Sequence, residues 1–166
     1  MSKLLDIEIK FRDEGEWNTI PTSTFLSGRR VVVFGLPGAF TPTCSTYQLP
    51  GFEENYSTIR ELGVDEVWCV SVNDAFVMNA WAKDQNIEWV KMLPDGNGEF
   101  TDALGMLVDK SNLGFGKRSW RYAMILNDGN IERAFIEEGK TDNCESDPYE
   151  VSTPENVITY LKETNK

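Results

Sequence analysis

The stretch that decides the fold is residues 30–44, which read RVVVFGLPGAFTPTC. Residues 31–36 form a short, continuous apolar run, and such runs are typical of strands that are buried on both faces of a sheet. A turn with two prolines follows the run, and Cys44 comes where the first turn of a helix is expected. The pattern therefore predicts a strand, a rigid turn and a helix that begins around Cys44.

Strands and helices are predicted to alternate in the next part of the chain. Apolar residues recur at helical spacing over residues 49–62, and the Pro-Gly pair that starts at Pro50 predicts a kink in this helix. Residues 67–72 form a second buried-strand run, and Asp74 after it suits the N-cap of another helix. Residues 89–93 predict a third strand.

The last third of the chain predicts a hairpin, a long loop and a closing helix. Residues 121–126 and 131–136 flank an Asn-Asp-Gly-Asn turn, which is a hairpin signal. Residues 137–150 form an acidic loop, and Pro154 stands at a helix start. This order predicts an α/β fold in which a mixed central sheet carries helices on both faces. The length of 166 residues fits a single domain over residues 1–166.

Composition and charge restrict the possible functions. The chain has a formal net charge of -11 and no basic run, so neither nucleic acid nor an anionic membrane surface is an expected partner. No signal peptide or membrane span is indicated, and a cytoplasmic location is expected. The absence of histidine excludes Ser-His and Cys-His couples and His-ligated metals, and the three cysteines show no CxxC pair. We therefore expect no metal site.

Cys44 is the residue best placed for chemistry. At the first turn of a helix, unpaired N–H groups and the positive end of the helix dipole favour a thiolate, so the pKa of Cys44 is expected to fall. Thr41 lies three residues upstream and can hold a hydroxyl near the sulfur, while Pro37 and Pro42 stiffen the turn. On these residues alone, a small buried hydrophobic role for Cys44 stays open.

Three separated motifs carry a resemblance to a known family. They are PGAFTPTCS at residues 37–45, WCVSVND at residues 68–74 and GKRSWRY at residues 116–122. In this order they resemble the active site, the second strand with its helix cap, and the RS-x-RY segment of peroxiredoxins. The chain is most similar to the peroxiredoxin 5 subfamily, which includes the peroxiredoxin half of bacterial peroxiredoxin–glutaredoxin hybrids. The resemblance implies a thioredoxin-like fold and a homodimeric peroxidase that needs no metal, haem or other cofactor.

The resemblance also implies roles for individual residues. Cys44 is the expected peroxidatic nucleophile, which attacks the peroxide substrate and becomes a sulfenic acid. Thr41 is expected to donate a hydrogen bond to the peroxide, Pro37 to shield the thiolate from water, and Arg121 to hold positive charge beside it. Arg118 is the competing candidate for the arginine role.

Three residues are candidates for lining a substrate pocket that accepts alkyl hydroperoxides: Phe40, Pro42 and Phe115. For the two phenylalanines, packing in the core or against a second subunit is an equally open interpretation. Cys69 lies in the middle of a predicted strand and is expected to be an inert, buried thiol.

The role of Cys144 and the identity of the reductant are left open. The resemblance implies a resolving cysteine in this region in some members, but the acidic neighbours of Cys144 are expected to raise its pKa and slow its attack. Electrons are expected from glutathione with a separate glutaredoxin, in a one-cysteine cycle. One alternative is a Cys44–Cys144 disulfide that thioredoxin reduces, and another is a redox sensor that signals through oxidised Cys44.

Overall fold

A five-stranded sheet lies at the centre of the protein. The computed structural model describes residues 3–164. The strands are β1 (Glu8–Asp13), β2 (Glu16–Pro21), β3 (Arg30–Gly35), β4 (Glu66–Ser71), β5 (Lys91–Pro94), β6 (Leu107–Asp109), β7 (Lys117–Ser119), β8 (Tyr122–Asn127) and β9 (Asn130–Ile136). The helices are α1 (Ser23–Leu26), α2 (Leu49–Glu54), α3 (Tyr56–Glu61), α4 (Ala75–Asp84), α5 (Glu99–Ala103) and α6 (Pro154–Thr164).

The central sheet has the strand order β5-β4-β3-β8-β9. β3 is parallel to β4, and β4 is parallel to β5. On the other side, β3 is antiparallel to β8, and β8 is antiparallel to β9. The predicted mixed sheet is therefore confirmed, and the predicted hairpin is its β8–β9 edge, with Asp128 and Gly129 at positive φ in the turn.

Side chains of the sheet alternate between two core clusters, one on each face. The first, which we name the Cys44-side cluster, contains Val32, Phe34, Cys44, Cys69, Ala123 and Ile125, together with apolar residues of α2, α3, α4 and α6. The second, the opposite cluster, contains Val31, Val33, Trp68, Val70, Tyr122 and Met124, together with apolar residues of α1 and α5. Helices thus cover both faces, as the sequence predicts.

The predicted kink at Pro50 is wrong in its position. A π-helical turn, Cys44–Gln48, precedes α2, and Pro50 lies in the first turn of α2, where its missing N–H is not needed. The break lies at Asn55, whose side-chain amide donates to the carbonyl of Gly51 at 2.8 Å. An asparagine amide that competes for a backbone acceptor interrupts a helix in this way.

The third strand of the central sheet begins later than predicted, at Lys91. Residues before it are held by Glu53, whose carboxylate accepts the backbone N–H groups of Glu88, Trp89 and Val90. Glu53 is therefore a structural acceptor rather than a solvated charge, and it satisfies backbone donors that have no strand partner.

Two pairs of strands were not predicted from the sequence. β1 and β2 form a hairpin around Glu14 and Gly15, both at positive φ, and β6 pairs with β7. β2 is exposed at nearly every position, so its side chains show no clear apolar alternation. Among residues 3–164, no helix is long and apolar enough to cross a membrane.

The buried Glu137 fixes the end of the loop over residues 137–150. Its carboxylate accepts the backbone N–H groups of Glu150, Val151 and Ser152 at 2.7–2.9 Å, and also the Ser152 hydroxyl. Burial alone would raise the pKa of Glu137, but these hydrogen bonds to its charged form outweigh burial and lower the pKa. The loop has no helix or strand, as predicted, and this carboxylate holds its C-terminal end.

We predict that Glu137→Gln lowers the free energy of unfolding by about 2 kcal/mol at neutral pH, because charge-assisted hydrogen bonds are lost. Urea denaturation measures this change. Since the folded-state pKa of Glu137 is lowered, its contribution is present above the ordinary glutamate pKa and disappears as pH falls through the folded-state value. The difference between the variant and the wild type should therefore shrink on acidification.

Glu138→Gln is the matched control, because Glu138 is the exposed neighbour of Glu137. It should change the unfolding free energy by less than about 0.5 kcal/mol. Equal stability of the Glu137→Gln variant and the wild type at neutral pH would contradict the role of Glu137 in holding the loop.

Candidate active site

The turn between β3 and α2 places Cys44 in the core. Cys44 begins the π-helical turn and is completely buried in the Cys44-side cluster. The turn itself is held from two directions, because the Ala39 N–H donates to Asn73 Oδ1 at 3.0 Å and Arg118 Nη1 donates to the Pro37 carbonyl at 3.2 Å. Asn73, in the turn that follows β4, thus supports the backbone that positions the Cys44 sulfur.

Arg121 is the cationic partner of Cys44. Its Nη1 lies 3.4 Å from Cys44 Sγ and donates to Gln48 Oε1 at 2.6 Å, while its Nη2 pairs with Asp147 Oδ1 at 2.7 Å. The guanidinium is buried, with 1% of Arg121 exposed. Burial would lower the pKa of Arg121, but the charges of Cys44 and Asp147 outweigh burial and raise it. A permanent positive charge therefore faces the sulfur.

Gln48 fixes the orientation of Arg121 from the helix side. Its side-chain amide N donates to the carbonyls of Gly35 and Tyr122 at 3.5 and 3.4 Å, so the amide oxygen is left to accept from Arg121. Gln48 is completely buried and stands one helical turn after Cys44. The two strand ends, the helix and the arginine are joined through this one amide.

Arg118 does not contact the sulfur in this structure. Its guanidinium donates to the carbonyls of Pro37 and Phe115 and lies over the Phe115 ring at 5.2 Å. Of the two arginines considered from the sequence, Arg121 is therefore the one beside Cys44, and Arg118 supports the turn that carries Pro37.

The other predicted site residues lie around the same turn. Thr41 is half-buried, and its hydroxyl donates to the Gly38 carbonyl at 2.7 Å. Phe40 has a positive φ of 66° and is 52% exposed, with its ring 6.5 Å from that of Trp81. Pro42 is exposed, and Phe115 is half-buried beneath Arg118. Of the aromatic candidates for a substrate pocket, Phe40 thus lies beside Trp81, and Phe115 lies beside Arg118.

The two remaining cysteines have different surroundings. Cys69 is completely buried on β4, and burial, with a smaller effect of Cys44, raises its pKa well above the ordinary value. Cys144 is partly buried against the opposite cluster, on the other face of the sheet from Cys44. Both are free thiols in this structure.

The sequence-based expectation for the pKa of Cys144 was wrong. Hydrogen bonds with Ser146 lower the pKa of this thiol, and the positive charge of Lys110 lowers it further. Burial and the negative charge of Asp147 oppose this change with smaller effects. A nearby hydroxyl therefore outweighs the acidic neighbours.

Three residues at the site were missed by the sequence analysis: Gln48, Asp147 and Tyr149. Gln48 could have been found, because residues four apart share a helix face and Gln48 follows Cys44 at that spacing. Asp147 and Tyr149 lie in the loop over residues 137–150, and no periodicity places a loop residue beside a distant strand. Within the described part of the chain, no group of three or more acidic or cysteine side chains converges to hold a metal ion.

Known proteins resemble this chain over almost its whole length. A family model described as Redoxin matches residues 8–153. A peroxiredoxin of Rhizobium etli is 53% identical over 161 residues, which are 97% of this chain and 90% of the relative. The hybrid peroxiredoxin hyPrx5 of Haemophilus influenzae is 46% identical over 96% of this chain, and the match covers 64% of that protein.

A solved structure gives the same result for the fold. The 1-Cys peroxiredoxin described as the Plasmodium falciparum antioxidant protein superposes with a TM-score of 0.90 at 36% identity, covering 98% of both chains. The predicted thioredoxin-like fold and the resemblance to peroxiredoxin 5 proteins are thereby confirmed. The chain belongs to the redoxin family and, within it, to the peroxiredoxins, which are thiol peroxidases.

Proposed function

We propose that this protein reduces hydrogen peroxide and small organic hydroperoxides with Cys44 as the peroxidatic nucleophile. The observation that carries the proposal is the 3.4 Å contact between Arg121 Nη1 and Cys44 Sγ, inside a buried site. A guanidinium so close to the sulfur stabilises a thiolate, which is the nucleophilic form of cysteine. Cys69 is equally buried, and burial disfavours its thiolate.

The reaction follows from this arrangement. The Cys44 thiolate attacks one peroxide oxygen, an S–O bond forms and the O–O bond breaks. Negative charge develops on the leaving oxygen, and Arg121 lies where it can stabilise that charge. The Thr41 hydroxyl, which now donates to the Gly38 carbonyl, can turn toward the peroxide. Protonation of the leaving oxygen gives water or an alcohol, and Cys44 becomes a sulfenic acid.

Recycling then requires two electrons from thiols. A thiol attacks the sulfenic sulfur, releases water and forms a mixed disulfide, and a second thiol breaks that disulfide and restores Cys44. Because Cys44 is completely buried, a thiol larger than the peroxide reaches the sulfur only when the π-helical turn Cys44–Gln48 opens. Each catalytic cycle in this proposal therefore includes a local opening of that turn.

We propose glutathione with a glutaredoxin as the reductant, in a one-cysteine cycle. Cys144 lies against the opposite cluster, so a bond between Cys44 and Cys144 would require a large rearrangement of both segments. A solved structure described as a 1-Cys peroxiredoxin has the same fold, which supports the same proposal. The exposed Phe40 and Tyr47 are the side chains that a homodimer packed at the active-site turn would cover.

The first prediction concerns the nucleophile. Cys44→Ser should abolish peroxide consumption, because the serine hydroxyl is not ionised at neutral pH. The fold of this variant should be unchanged. Cys69→Ala and Cys144→Ser are matched controls that should keep most of the activity. Peroxide loss measured by a dye assay at matched protein concentration separates them. Turnover above a few per cent in the Cys44→Ser variant would remove Cys44 from this role.

The second prediction concerns the two arginines. Arg121→Met should slow formation of the sulfenic acid about a hundredfold, as expected for loss of a group that stabilises developing charge. It should also reduce the thiolate absorbance of Cys44 at neutral pH. Arg118→Met removes the neighbouring guanidinium, which contacts the Pro37 carbonyl and not the sulfur. The rate of sulfenic acid formation should therefore fall at least tenfold less in Arg118→Met than in Arg121→Met. The reverse order, measured by stopped-flow, would transfer the role to Arg118.

The third prediction concerns the reductant. Peroxide consumption is measured with glutathione plus a glutaredoxin and, separately, with thioredoxin plus its reductase, for the wild type and Cys144→Ser. We expect turnover in the glutathione system that does not depend on Cys144. Turnover with thioredoxin that disappears in Cys144→Ser would instead establish Cys144 as a resolving thiol. Slow turnover with both systems, despite rapid oxidation of Cys44, would favour a sensor.

A further inference from the structure

Asp147 is an acidic loop residue that reaches a buried charge. Its carboxylate pairs with Arg121 Nη2 at 2.7 Å, and the Asp147 side chain is 46% exposed while that of Arg121 is 1% exposed. Among the residues that the structure describes, Asp147 is the only carboxylate that forms an ion pair with Arg121. Within residues 3–164, the only counter-charge of the buried guanidinium other than the Cys44 thiolate thus comes from the loop.

The hydrogen-bond donors of Arg121 show how much depends on this contact. Nη1 is used by Gln48 and Cys44, Nη2 is used by Asp147, and the buried Nε has no acceptor. Removing Asp147 would leave two of the three nitrogens of a buried cation without an acceptor that the structure shows. A guanidinium held at one nitrogen only is less strictly oriented than one held at two.

The charge of Cys44 changes during the reaction, and that of Asp147 does not. The thiolate is negative, whereas the sulfenic acid and a mixed disulfide are neutral. In those later states Arg121 would be a buried cation without a counter-charge if Asp147 were absent, and such a group is costly in an apolar interior. Asp147 therefore keeps Arg121 paired throughout the cycle.

The loop that carries Asp147 is itself held near Arg121. The ring of Tyr149 lies 5.9 Å from the Arg121 guanidinium and stacks on Tyr47 at 6.4 Å. Glu137 then fixes the backbone of the residues that follow Tyr149, and the Glu137 N–H donates to the Arg121 carbonyl at 3.2 Å. The position of Asp147 is thus fixed by contacts of Tyr149, which follows it, and of Glu137, which follows strand β9.

We propose that Asp147 is a positioning residue of the peroxidase reaction, which acts by holding the Arg121 guanidinium against Cys44 as the sulfur gains and loses charge. The proposal rests on the proposed role of Cys44 and Arg121. It predicts that Asp147 affects the chemistry through Arg121 and through no other group.

The first measurement is the rate constant for sulfenic acid formation with hydrogen peroxide, followed by stopped-flow fluorescence. Asp147→Ala should be about tenfold slower than the wild type, since the charge-assisted hydrogen bond that orients Arg121 is lost. Asp147→Asn keeps an oxygen acceptor for Nη2 and should recover part of that loss. Glu145→Gln is the matched control, an exposed acidic residue of the same loop without an ion pair to Arg121, and should react like the wild type.

The second measurement separates positioning from a general effect on the loop. If Asp147 acts through Arg121, the Asp147→Ala change should not slow the Arg121→Met enzyme any further, because the group it positions is already gone. A loop that was merely distorted would slow both backgrounds by the same factor. That result, or a wild-type rate for Asp147→Ala, would overturn the proposal.

Cys44→Ser, measured beside these variants, distinguishes failure of the proposed function from failure of the proposed role of Asp147. Peroxide consumption that survives in Cys44→Ser would overturn the proposed function and, with it, this inference. An inactive Cys44→Ser variant together with an unaffected Asp147→Ala variant would leave the proposed function in place and overturn the role of Asp147 alone.

Discussion

The contact between the Arg121 guanidinium and the Cys44 sulfur is the interaction on which the site depends, and it determines much of the surrounding structure. A cation that is almost completely buried requires acceptors in fixed places. Gln48 supplies one from the helix that Cys44 begins, and Asp147 supplies another from a distant loop. Two strand carbonyls hold Gln48, and Glu137 holds the end of the loop. The contact between Arg121 and Cys44 is therefore linked to the sheet, to a helix and to a loop.

The order of strands explains why these residues meet. β3 and β8 are antiparallel neighbours, with Gly35 opposite Tyr122, so the turn that follows β3 and the residue that precedes β8 lie at the same end of the sheet. Gly35 permits this pairing, because a Cβ at that position would lie 2.1 Å from a ring carbon of Tyr122. Cys44 and Arg121 are 77 residues apart in sequence and adjacent through this register.

Local patterns accounted for the parts of the structure that are local. The buried runs, the Asp-Gly hairpin and the Asp74 cap were predicted because each is fixed by neighbouring residues, and the structure contains all of them. The break at Asn55 was misplaced because a side chain there competes for a backbone acceptor, which no periodicity reveals. The exposed strand β2 gave no apolar alternation, and Asp147 reaches the site only through the tertiary fold.

The absence of histidine gives this arrangement a particular consequence. A histidine beside the sulfur would change its own charge near neutral pH, whereas a guanidinium stays positive over the whole physiological range. In the proposed reaction the charge next to Cys44 is therefore constant, and only the sulfur changes state. A constant buried cation needs a counter-charge that persists when the thiolate is consumed, and Asp147 is the carboxylate that lies in that position. In the proposed reaction the loop over residues 137–150 thus belongs to the active site, because Asp147 supplies the lasting counter-charge of Arg121.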